Sequence, residues 1–165
     1  MWPIRISSVL PLAQRDELER ITFFNPQQSR VTEPLLKSVH RYGVPKIVED
    51  GTNLRFTVRD FGQVQSLYAL DDRSTDERVA GDRLVGVVLF VREPQDSLLV
   101  LHLAVHEDYT AHGPWAVMWI TPRLMSAVRA LALRIRGVRW VRFLYPHSTQ
   151  IPIRRPRALP TPRAA

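Results

Sequence analysis

Two long apolar runs dominate the middle of the chain. Arg83–Arg92 carries Leu84, Val85, Val87, Val88, Leu89, Phe90 and Val91. Ser97–Val105 carries Leu98 to Leu101, then His102, Leu103, Ala104 and Val105. Runs without alternation predict strands buried on both faces. Pro94-Gln95-Asp96 between them predicts a hairpin turn. Upstream, Leu54, Phe56 and Val58 alternate with Arg55, Thr57 and Arg59, the period of a half-buried strand. Gln63–Leu70 follows with Val64, Tyr68 and Leu70 in phase, and Ile4–Ser7 and Val44–Val48 read as short extended pieces. Three segments carry helical signals. Pro11–Phe24 places Leu18 and Ile21 on one face. Glu33–Tyr42 has Thr32 as cap, Pro34 in its first turn and Gly43 as stop. Thr121-Pro122 opens a helix to about Arg136, with Leu124, Val128, Leu131 and Ile135 on one face and Gly137 ending it. Val138–Tyr145 is the last predicted strand.

Residues 1–145 therefore read as one domain. Residues 146–165 hold five prolines and four arginines and read as an extended or disordered tail. Asp71–Asp82 is polar and reads as a mobile loop.

Composition narrows the chemistry. The chain of 165 residues is long enough for one core without staples. It has no cysteine, which removes disulfides, thiolate metal sites and a cysteine nucleophile, and no metal is called for. The start of the chain does not read as a signal peptide, and no apolar run approaches the ~20 residues of a membrane span, so a cytoplasmic protein is expected. Charge is uneven: residues 1–108 sum to −3, and residues 109–165 hold ten arginines and no acid. An anionic partner for that last third would explain it: a phosphorylated cofactor, nucleic acid or a membrane surface. The use of 21 arginines against two lysines also fits a GC-rich genome.

The most informative unit is strand 97–105, loop 106–120, helix 122–136 and strand 138–145. A strand leading through a glycine loop into a helix makes an anion site, because the first-turn N–H groups and the helix dipole face the ligand. The strand reads Leu101-His102-Leu103-Ala104-Val105. The spacer His106-Glu107-Asp108-Tyr109 follows, then the loop Thr110-Ala111-His112-Gly113-Pro114-Trp115-Ala116. This unit resembles the acyl-CoA-binding segment of the GNAT superfamily of N-acetyltransferases, in which Arg/Gln-x-x-Gly-x-Gly/Ala opens the helix.

The resemblance implies an α/β (α+β) fold with a mixed, mostly antiparallel central sheet flanked by helices. It implies acetyl-CoA, or another acyl-CoA, as co-substrate and a small-molecule or peptide amine as acceptor. It places Leu103, Ala104 and Val105 along the pantetheine arm, and Thr110, Ala111, His112, Gly113, Trp115 and Ala116 around the pyrophosphate. The next strand would splay away to admit the arm. Acyl transfer to an amine needs a base and an acid. His106 and Glu107, just after the strand, and Tyr145, ending the next one, are the catalytic candidates, with His102 and Asp108 beside them. Thr110 stands at the family's Arg/Gln position and Trp115 at its second small position. Room for a pyrophosphate beside Trp115 is thus the structural question.

A second reading keeps the fold without the catalysis, as a module for protein binding or homodimerisation. The sheet edge near 138–145 would then need a partner strand. Nucleic-acid binding ranks below both, because no reader motif accompanies the charge, and membrane binding is a minor remainder.

Overall fold

The computed structural model describes residues 3–25, 39–59, 64–72, 82–144 and 150–153. The described elements run β1 (Ile4–Ser7), β2 (Leu10–Pro11), α1 (Arg15–Phe23), β3 (Lys46–Asp50), β4 (Asn53–Thr57), β5 (Gln65–Asp71), β6 (Arg83–Glu93), β7 (Ser97–Val105), α2 (Ile120–Arg134), β8 (Trp140–Phe143) and β9 (Gln150–Pro152). The six-stranded sheet has the order β1-β5-β6-β7-β8-β9. All its pairings are antiparallel except β7 with β8. A parallel pair needs a crossover, and α2 supplies it. A smaller sheet, β2-β4-β3, packs with α1 on one face of the large sheet, while α2 covers the other. This is a mixed, mostly antiparallel α/β arrangement, as expected from the sequence.

The apolar runs of β6 and β7 are buried because both faces are covered. Leu84, Val87, Leu89 and Val91 join the core under α1, and Val85, Val88 and Phe90 join the core under α2. Helix α2 buries Ile120, Leu124, Val128 and Ala132, a strict spacing of four. Leu131 and Ile135, expected on that face, flank it half-buried. The segment Ala116–Arg134 is apolar and long enough to match a membrane span by length and composition. Its buried stripe against the sheet is that of a core helix.

Some details depart from expectation. Helix α2 begins at Ile120, so Thr121 lies inside its first turn and does not cap it; Trp119 is the cap residue. Gln150–Pro152, read as part of the tail, pairs antiparallel with β8 and covers the edge that would have called for a second protomer. Only residues 39–42 of the helix expected at Glu33–Tyr42 are described, and they are helical. Most of the 71–82 loop and nearly all the rest of the tail lie outside the described residues, as does Tyr145.

Two irregularities shape the centre of the sheet. In the β6–β7 ladder Leu89 pairs with His102 and Phe90 with Val100, leaving Leu101 as an extra residue. Such a bulge bends the strand and re-aims its side chains. Just there, β8 leaves β7: its pairing covers Ser97–Val100 and ends with the Leu144 N–H donating to the Val100 carbonyl at 3.1 Å. Among the described residues, Leu101–Val105 has no strand on that side.

Candidate active site

A cleft of about 600 Å³ opens where β7 and β8 part. One wall is the bare end of β7, from His102 to Val105. The opposite wall is the start of α2 with the turn before it, from Ala116 to Pro122, and Tyr109, Thr110 and Ala111 close one end. Asn25, just past α1, reaches in and donates from Nδ2 to the Val105 carbonyl at 2.7 Å. That bond shows that the Val105 backbone faces the cleft. The alternation of a strand then turns Leu103 the same way, and the His106 N–H goes to the other side, to the Val85 carbonyl at 2.9 Å.

The loop folds on itself. Glu107–Tyr109 and Ala116–Met118 are short 3-10 turns. The N–H groups of Thr110, Gly113, Trp115 and Ala116 donate to the carbonyls of Glu107, Thr110, Asp108 and Gly113. Gly113 is required by this packing: a Cβ there would lie 2.2 Å from the Asp108 carbonyl oxygen. The glycine thus serves a backbone-to-backbone contact within the loop. Among the described residues, the N–H groups of Ala111, Val117, Ile120 and Thr121 have no backbone partner. Those of Ile120 and Thr121 belong to the first turn of α2, where the helix leaves its donors open. Trp119 enters the helix at φ 53, a left-handed conformation that is costly for a bulky side chain.

Trp115 does not line the cleft; it stands 43% exposed beside Val117 and Trp119, which are 62% and 65% exposed. It therefore leaves the space open. Of the expected cofactor positions, Leu103, Ala104, Val105, Thr110, Ala111 and Ala116 line the cleft, while His112, Gly113 and Trp115 do not. Sequence reading missed Asn25, Val117, Ile120, Thr121 and Pro122 as wall residues; Trp119 was readable only as an aromatic able to stack on a ligand. Asn25-Pro26 carried only a breaker signal, and Thr121-Pro122 only a helix start.

The two described catalytic candidates sit behind the end of β7, outside the cleft lining. Arg20 Nη1 grips both oxygens of Glu107 at 2.8 and 3.0 Å and Nη2 holds Glu17 at 2.8 Å. Burial alone would raise the Glu107 carboxyl; its own backbone N–H and Arg20 outweigh that and hold it below the usual carboxylate range. His106 is buried. Its Nδ1 faces the Asp108 N–H at 3.1 Å and its Nε2 lies 2.6 Å from Arg83 Nη2. Burial first, and the Arg83 guanidinium second, lower its pKa and keep it neutral. His102 does line the cleft. It is 5% exposed, and burial pushes its pKa down to about 4 against a bond to the Thr22 backbone. Tyr109, also in the wall, donates its hydroxyl to Asp71 Oδ2 at 2.5 Å. No group of three His, Asp or Glu side chains suited to a metal occurs among the described residues.

No family model matches the sequence, and no curated protein matches it. Among solved structures, the fold is similar to nourseothricin acetyltransferase, with a TM-score of 0.44 and 16% identity over 86% of this chain and 72% of that one. It is also similar to a protein from Desulfovibrio desulfuricans assigned to the GNAT family of acetyltransferases, with a TM-score of 0.41 and 16% identity over 85% and 70% of the two chains. At TM-scores below 0.5 these are loose likenesses.

Proposed function

We propose that the chain is an acyl-CoA-dependent N-acyltransferase. The observation that carries this reading is the cleft between β7 and the start of α2, opened by the parting of β7 from β8. A bare strand edge suits an extended amide chain, which can hydrogen-bond to it as an added strand would. Pantetheine is such a chain, and the backbones of Leu103 and Val105 are its partners here. Across the cleft, the open N–H groups of Val117, Ile120 and Thr121 suit a pyrophosphate at a helix N-terminus. Arg123, at the same end of α2, and exposed Arg129 supply positive charge for the nucleotide phosphate. In the transfer, the ammonium first gives up a proton to water, the neutral amine nitrogen attacks the thioester carbonyl and forms the C–N bond, and the C–S bond breaks, the second nitrogen proton passing to the departing CoA thiolate, directly or through water.

The test is calorimetric titration with acetyl-CoA, CoA and dephospho-CoA. Binding is expected, weaker without the 3′-phosphate. No heat at millimolar acetyl-CoA would refute the reading.

One observation favours the alternative of a non-catalytic binding module. Four loop N–H groups are spent within the loop, and Trp115, Val117 and Trp119 are exposed apolar residues, the last two in the cleft wall. Such residues often mark contact sites. The same titration separates the two readings.

A further inference from the structure

A second, smaller cavity of about 160 Å³ lies on the other face of β7, between α1, the stretch after residue 39 and the strands β6 and β7. Phe23, Val39, Val58, Leu89 and Leu101 make most of its wall. The Leu101 bulge lies in the wall of this cavity, next to the residues that line the cleft. It turns Leu101 and His102 toward the same cavity, and His102 also lines the cleft. The two spaces therefore share one lining residue, His102, in the part of β7 beyond its pairing with β8.

Polarity decides what this cavity can hold. Its wall offers the hydroxyls of Thr22 and Tyr42 and the ring of His102, and no carboxylate among the described residues. An amine acceptor is a cation at neutral pH, and burying it without a counter-charge is costly. A hydrocarbon chain meets no such cost and gains from burial.

We propose, resting on the acyl-CoA reading of the cleft, that this cavity receives the acyl chain, and that the chain transfers acyl groups longer than acetyl. With about 30 Å³ for an atom group the size of water, the space takes on the order of five carbons. A butanoyl or hexanoyl group fits that length.

The test is calorimetry on the full chain with CoA, acetyl-CoA, butanoyl-CoA and hexanoyl-CoA. Affinity should rise about fourfold per added methylene, the ratio equivalent to ~0.8 kcal/mol. Val44, 55% exposed at the cavity rim, gives a variant with little risk to the fold. Val44→Trp should bring hexanoyl-CoA to within threefold of acetyl-CoA. Equal affinities of all four for the unaltered chain would overturn the acyl-chain proposal and leave the cleft assignment standing. No binding of CoA itself would overturn both. A rising series that Val44→Trp leaves unchanged would place the chain elsewhere and also refute the proposal.

Discussion

Single residues show how burial sets the chemistry available. His102 is fixed between two cavities and held neutral, mainly because charging it inside the sheet is costly. Its folded pKa of about 4 lies below its ordinary 6.5. Between these values the unfolded chain binds more protons than the folded one, so stability must rise with pH across that window. His102 alone accounts for on the order of 3 kcal/mol, fully present above pH 6.5 and lost as pH falls to 4. His106 shifts in the same direction, so the residue is isolated by difference. Urea unfolding from pH 4 to 7 should show a steep slope for the parent chain and a shallower one for His102→Gln. Parallel slopes would contradict the assignment. His106 and Glu107 carry a matching lesson. Their position after the strand was readable, but their engagement with Arg83 and Arg20 depends on contacts 23 and 87 residues away in sequence.

Among elements, those with a strong local period were legible. The paired buried strands β6 and β7, the turn at Asp96 and the Leu124–Val128 centre of the α2 stripe follow directly from spacing. What was not legible depends on neighbours. The Leu101 bulge is a register mismatch between two uniformly apolar strands, and neither sequence marks it. Strand β9 sits among prolines and forms because β8 offers an edge. The start of α2 lies two residues before its proline because Pro122 is tolerated within a first turn, where its missing N–H is not needed. The seat of α2 on the sheet depends on Gly86. A Cβ there would lie 2.8 Å from Ile120 Cγ2 and 3.2 Å from Leu124 Cδ1. Gly86→Val should push the first turn of α2 outward and cost about 1–3 kcal/mol. A urea midpoint unchanged from the parent would show that α2 does not rest there. The variant should also weaken acetyl-CoA, because it moves the Ile120 and Thr121 donors.

At the scale of the whole molecule, bulge, strand parting and helix start converge on one cleft. The charge pattern accords with this: all ten basic residues after Asp108 are arginines, and no acid follows it. Hydrogen exchange with and without acetyl-CoA is the most direct test that this cleft binds the co-substrate. The account predicts slowed exchange at the amides of residues 103–105 and 117–121, with β1 and β3 unchanged. Binding with no protection of those two segments, or with protection confined to other parts of the chain, would contradict it.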